Sequence, residues 1–225
     1  MYHDLDDKKF LHRMRALSGE IMQTFCHILK EEYDIGANFY LVGSGARNLI
    51  LQNASEPVDL DYNLEIVRCT DIKDGRTIKE SARKAFNQAL NNYGWNDCED
   101  STSSLTTEKR HFTQGNPTEF SIDVCIVTTD ENDNLRRLIH YKTGFTFLDR
   151  YDWIMAPNSQ NIRKKAEYIK ANGKWELVRN QYKDIKNRYL HYNDHNHPSY
   201  VCYIEAVNNV YNEITVRNGG QVYVL

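Results

Sequence analysis

At 225 residues, 40% of them hydrophobic, the chain can bury the core of one large domain or two small ones. With 28 basic and 31 acidic residues the net charge is −3, and no apolar run approaches the roughly 18 residues of a membrane span, which excludes a transmembrane helix. The charged start MYHDLDDKK lacks the apolar core of a signal peptide, so a cytoplasmic protein without membrane association is expected. Five cysteines, odd in number, widely spaced and without a CxxC pair, predict reduced thiols rather than a disulfide framework.

Residues 7–33 carry Phe10, Met14, Leu17, Ile21, Phe25 and Ile28 at spacings of three and four, the pattern of an amphipathic helix that backs a sheet. Gly36 stands where it could end that helix or the turn after it. An apolar strand at 39–42 then stops at Gly43-Ser44-Gly45, and a short helix is expected over 46–51. A second strand follows, in which Asp59, Asp61, Asn63 and Glu65 alternate with Val58, Leu60, Tyr62, Leu64 and Ile66. Two carboxylates on one strand face, roughly 6 to 7 Å apart at Cα, can converge on one or two divalent cations. A solvated surface strand would carry the same pair. Gly43 and Gly45 lack a Cβ, so a triphosphate could approach the backbone, with the Ser44 hydroxyl and the helix N–H groups as donors. A tight strand-to-helix turn would need the same residues, and Arg47 could touch a phosphate or pair with an acid.

A helix is expected over 77–93, followed by a less regular strand over 101–113 that would turn back through Gln114-Gly115-Asn116-Pro117 as an antiparallel hairpin. Its partner, 119–127, buries Phe120, Ile122, Val124 and Ile126 and sets Glu119, Ser121 and Asp123 on the other face. Should this strand neighbour the Asp59 strand, three carboxylates share one site. Lys109, Arg110 and His111 form a solvated edge or contact substrate. Two strands are expected within 136–154, and then helices over 159–171, capped by Ser159, over 174–191, and over 199–216 before Gly219-Gly220. Between 159 and 192, nine basic residues face three acidic ones, a charge of about +6 that suits either a solvated helix surface or a lobe holding a triphosphate. His191, His195 and His197 lack the cysteine pairs of a structural zinc site and read as a linker.

An apolar strand ending in Gly-Ser, an Asp-apolar-Asp strand, and a later lone Asp between apolar residues together resemble the nucleotidyltransferase superfamily of the DNA polymerase β type. The run GSGAR (43–47) is similar to that of minimal and aminoglycoside nucleotidyltransferases. The chain departs from that pattern in Asn48, in Val58, and in a rather long connection from Ser44 to Asp59. The resemblance implies an α+β fold, a mixed nucleotidyltransferase-type sheet backed by helices and followed by a C-terminal helical bundle. It implies a catalytic domain over 1–157 and a helical domain over 158–225.

By the same resemblance Asp59, Asp61 and Asp123 would be the catalytic metal ligands, binding two Mg²⁺ ions (Mn²⁺ as a substitute). Gly43, Ser44, Gly45 and Arg47 would hold the phosphates. The implied reaction moves a nucleoside monophosphate from an NTP, ATP among the candidates, to an acceptor hydroxyl with release of pyrophosphate. The acceptor stays open among a small molecule, a protein, an RNA end and a second nucleotide, and oligomeric state stays open too. Relatives that make cyclic dinucleotides rank low because the chain is short for them. A non-catalytic NTP-binding or protein-interaction module of the same fold, or a phosphohydrolase using the acidic cluster, is the alternative.

Overall fold

The structure, a computed structural model, describes residues 1–156, 160–194 and 197–217. In chain order the elements begin with β1 (Tyr2–Asp4), α1 (Lys8–Tyr33), β2 (Gly36–Leu41), α2 (Gly43–Arg47), β3 (Leu51–Asn53), β4 (Val58–Arg68) and α3 (Gly75–Asn92). They continue with β5 (Glu99–Asp100), β6 (Leu105–Thr106), β7 (Phe120–Thr129), β8 (Leu135–Tyr141), β9 (Arg150–Met155), α4 (Gln160–Ala171), α5 (Trp175–His191) and α6 (Ser199–Arg217). The chain forms two compact units. One, the sheet unit, holds residues 6–46 and 56–157; the other, the helical unit, gathers 1–5, 47–55 and 158–225.

The mixed α+β architecture is the one the sequence predicts. In the sheet unit a seven-stranded sheet has the order β2-β4-β7-β6-β5, with β8 added to β7 and β9 to β8. Every pairing is antiparallel except β4 with β7, which run parallel over eight registered positions. The apolar residues of β4 (Val58, Leu60, Tyr62, Leu64, Ile66) and β7 (Phe120, Ile122, Val124, Ile126) are buried. Helices α1 and α3 pack on one another, and the Phe25 and Phe86 rings meet between them at 4.9 Å. Burial of each such ring contributes about 2 to 3 kcal/mol.

Local chemistry sets the helix ends. Asp7 caps α1 by accepting from the Phe10 N–H at 2.9 Å. Asp34, not Gly36, closes it in the left-handed conformation at φ 52°, a region that short polar side chains tolerate, and Gly36 opens β2 instead. Helix α3 starts two residues earlier than expected because Asp74 accepts from Thr77 N–H at 3.0 Å. Gly75 fits in its first turn where a Cβ would come within 2.7 Å of Leu138.

Two expected elements are corrected. The short helix is 43–47 rather than 46–51: the Val42 carbonyl accepts from Ala46 N–H at 3.2 Å, so the Gly-Ser-Gly run is itself the first turn. Asn48, at φ 58°, then turns the chain out of the helix, and residues 51–53 are strand. The expected strand at 101–113 shortens to β6 and a single antiparallel bridge between Arg110 and Phe120. Ser101 draws the start of that segment into a turn with Ser104.

The helical unit packs Ile169, Val178, Tyr182, Ile185, Val207 and Val210 around the expected stripes, and Leu49 joins the same core. Strand β1 pairs antiparallel with β3. Asn187 of α5 grips it, accepting from Tyr2 N–H at 2.6 Å and donating to its carbonyl at 3.1 Å. Asp4 lies 2.5 Å from Lys183 and 3.4 Å from Arg179. The Ser159 cap and Gly219-Gly220 lie outside the described residues.

All five cysteines are free thiols. Burial is the largest cause raising each of them, Cys26 to about 11 and Cys98 to about 12, with Cys69, Cys125 and Cys202 also raised. A raised thiol holds less thiolate at pH 8, so maleimide labelling of the folded protein is expected to be slow at every cysteine and fast in denaturant. Rapid labelling of native Cys98, followed by mass spectrometry, would contradict that packing.

Candidate functional site

The parallel ladder aligns the acidic residues. Asp61 of β4 sits directly beside Asp123 of β7, and Asp59 beside Ser121, all on the face opposite the buried apolar residues. Neither strand's own alternation reveals that register; it follows from the shared direction of β4 and β7. The Ser121 hydroxyl donates to Asp59 Oδ1 at 2.6 Å, fixing that carboxylate. Across the other edge of β7, Thr106 of β6 stands opposite Asp123.

Burial raises the Asp123 pKa, a hydrogen bond from Thr106 works against the rise, and the Asp59 charge adds to it. Its Oδ1 is closed to solvent and has no hydrogen-bond partner among the described residues. Two residues on, burial pushes the Cys125 thiol up, opposed by the positive charge of Arg137 and reinforced by Asp61 and Asp123. Among the described residues no three His, Cys, Asp or Glu side chains are drawn together into a preformed metal cage.

The Gly-Ser turn is built against the acidic strand. Val42 N–H donates to the Asp61 carbonyl at 2.8 Å. A Cβ on Gly43, whose φ is 62°, would lie 2.2 Å from Asp61 Oδ2, so only glycine lets the turn approach that carboxylate. At Gly45 a Cβ would meet Leu60 at 3.1 Å and Leu41 at 3.3 Å. The space left by both missing side chains is thus taken by β4 and β2, and close packing rather than open approach is what each glycine provides. Ser44 is half-buried. Arg15 of α1 donates to the Gly45 carbonyl at 2.9 Å and steadies α2; an arginine on a helix face carries no sequence signal of so distant a contact. Arg47 ends α2 within the helical unit, with its guanidinium 4.4 Å from the Tyr203 ring centre and its carbonyl accepting from Trp175 Nε1 at 3.0 Å.

Several of the other candidates have structural partners. Arg110 pairs with Glu108 at 2.6 Å, so that edge is held by an ion pair. Within the helical unit, Arg163 pairs with Glu167, Arg188 with Glu205 and Arg179 with Glu176, while Lys165 donates to Asn208 and Lys170 lies over Trp175. Much of the basic charge is therefore balanced at close range. His197 bonds Asp194 at 2.8 Å and stacks on Tyr189 at 3.5 Å; His195 lies outside the described residues.

Comparison with known proteins places the fold. No family model matches the sequence. No curated protein matches it either. Among solved structures, the chain is similar to the Vibrio cholerae DncV cyclic AMP-GMP synthase, described as a prokaryotic cGAS homolog. That match has a TM-score of 0.55 and 12% identity, over 81% of this chain and 62% of that one. It is also similar to Escherichia coli MS115-1 CdnC bound to ATP, with a TM-score of 0.54 and 15% identity, over 90% of this chain and 61% of that one. CdnC in complex with a HORMA protein matches equally, at 0.54 and 15%. The chain thus has the nucleotidyltransferase-type fold of these proteins and spans about three-fifths of their length. One of them is a cyclic-dinucleotide synthase, a kind of relative that chain length alone ranks low. Among the described residues no helix is long and apolar enough to cross a membrane.

Proposed function

We propose that this chain transfers a nucleoside monophosphate from an NTP to an acceptor hydroxyl, with Asp59, Asp61 and Asp123 as the metal-binding carboxylates and the 43–45 turn beside the phosphates. The observation that carries the reading is the parallel β4–β7 register, which sets Asp61 level with Asp123 and Asp59 level with Ser121 on one face, with Gly43 closed against Asp61.

The donor set fits a hard divalent cation. It is all oxygen, it offers an orphaned buried Asp123 oxygen, and its openness suits Mg²⁺, which keeps several water and phosphate ligands. Mg²⁺ or Mn²⁺ held there, two ions in our reading, would neutralise the triphosphate and acidify the acceptor hydroxyl. The protein's own part is positional. Ser121 orients Asp59, the Gly43 approach orients Asp61, and Thr106 and the ladder orient Asp123. In the reaction the acceptor oxygen bonds to the α-phosphorus, the α–β bridging P–O bond breaks, pyrophosphate leaves, and the acceptor proton passes to solvent.

A second nucleotide heads the acceptor candidates, because the DncV neighbour has been captured with the linear intermediate 5′ pppA(3′,5′)pG. The CdnC–HORMA complex makes a protein partner a further expectation. The test is incubation with each α-³²P-labelled NTP and Mg²⁺, following pyrophosphate and labelled product. Both are expected, and both should be lost with EDTA. Binding of an NTP without release of pyrophosphate would leave the non-catalytic module in its place.

A further inference from the structure

Residues 142–149, which connect β8 to β9, are held from several sides. Asp149 accepts from the Thr143 N–H at 2.7 Å and from its hydroxyl at 3.0 Å, and its other oxygen meets His140 Nε2 at 2.9 Å. From α3, Arg76 donates to the carbonyls of Thr146 at 2.9 Å and Asp149 at 2.8 Å, and Lys142 donates to the Asp100 carbonyl. This polar framework fixes a tip that buries little of its own apolar surface. Phe145 is 63% exposed, Phe147 77% and Leu148 53%, and the two phenyl rings meet only loosely, at 6.0 Å. Apolar side chains clustered in water and held in one arrangement are a preformed contact surface.

Charge narrows what that surface meets. Three basic side chains stand beside the tip: Lys142, 46% exposed; Arg150, which is exposed and lies over the Tyr141 ring at 5.3 Å; and Arg76. The acid within the connection, Asp149, has a side chain only 7% exposed and tied to His140, and the next acid, Asp152, lies two residues further along β9, opposite Ile139. An apolar tip with a basic collar complements a layer that is anionic at its surface and apolar beneath. Side chains this exposed project from the end of a hairpin rather than line a groove, so they can enter such a layer while the cations stay at its surface.

We propose that the 145–148 tip docks this chain on an anionic lipid bilayer, with Phe145, Phe147 and Leu148 entering the interface and Lys142 and Arg150 meeting the headgroups. Such a tip lies in the interface without crossing it, so the lack of a spanning helix among the described residues has no bearing on it. The sequence-based expectation of no membrane association concerned spans and leaders, and a docking loop is neither. Docking of this kind requires no nucleotidyl transfer.

The experiment is co-sedimentation of the full chain with vesicles of phosphatidylcholine alone, or of phosphatidylcholine and phosphatidylserine in equal parts, at low and high salt. Wild type is expected to partition at least about tenfold more strongly onto the anionic vesicles, and to lose that preference at high salt. Phe145→Ser/Phe147→Ser should weaken anionic binding by about tenfold or more with little change in melting temperature, since both rings are exposed. Arg150→Gln should weaken it by about fivefold, and it tests the collar without disturbing the Lys142 contact to Asp100. Wild type that stays in the supernatant with both kinds of vesicle, or that binds both equally, overturns the proposal and leaves the tip to a protein surface. Anionic binding that neither variant weakens overturns the tip as its seat.

Discussion

Gly43→Ala is expected to reduce nucleotidyl transfer by about 10²-fold or more, the scale on which a misplacement of about 1 Å acts. The new Cβ would occupy a point 2.2 Å from Asp61 Oδ2, a distance no real contact allows, so the carboxylate must move off the face it shares with Asp123. The residue would also sit at φ 62°, where a side chain costs roughly 1 kcal/mol. Two comparisons separate these effects. Gly94→Ala carries the same backbone penalty at φ 72° with nothing within 4 Å, and should lower the melting temperature by a few degrees while leaving transfer unchanged. Gly45→Ala meets only the flexible ends of Leu60 and Leu41 and should fall between the two in its effect on transfer. Transfer assays with thermal melts read both quantities, and wild-type activity in Gly43→Ala would show that the Asp61 position does not matter.

The largest stability loss is expected from Lys79→Met. Lys79 is 1% exposed, and its ammonium lies 3.1 Å from Asp100 Oδ1 and donates to the Ser101 carbonyl at 3.1 Å. The Asp100 contact is a charge pair rather than an aligned hydrogen bond, since that oxygen has no hydrogen-bond partner. Asp100 also meets His140 at 2.9 Å, and His140 reaches Asp149 at 2.9 Å through its other nitrogen. The cluster joins α3, β5, β8 and the segment before β9. Removing the cation leaves Asp100 buried with less compensation, at a cost of about 3 kcal/mol, or roughly 10 °C in melting temperature for a unit of this size. The carboxylate keeps its hydrogen-bond contact with His140 and the nearby Lys142 cation, which keeps the loss short of complete unfolding. A melting temperature within about 2 °C of wild type would show that Lys79 is not the counter-charge of Asp100.

These two positions also mark where the sequence was readable and where it was not. The alternation of β4 and β7 is local, and it correctly sorted apolar from acidic residues on both strands. The stripes of α1, α3, α5 and α6 were readable for the same reason. That β4 and β7 are parallel neighbours is a long-range fact, which no window of either strand contains. Lys79 lies beside Ile78 in an ordinary helical pattern, and only tertiary placement makes its charge a buried one. Helix α2 was misplaced because a Gly-Ser-Gly run reads as a turn, whereas Val42 opens the helix before it. Likewise nothing local announces that residues 1–5 and 47–55 belong with the C-terminal helices; Asn187, Asp4 and Leu49 make that attachment.

The measurement that bears most directly on the account is calorimetric titration of each of the four NTPs, with Mg²⁺ and again with EDTA, into wild type and Asp59→Asn/Asp61→Asn. The double variant keeps side-chain volume and removes two charges from the shared face. The expected result is Mg²⁺-dependent binding of at least one NTP by wild type, weakened by about tenfold or more in the variant. Binding of no NTP under either condition, or binding that the variant and EDTA leave untouched, would contradict a metal-and-triphosphate site on the β4–β7 face.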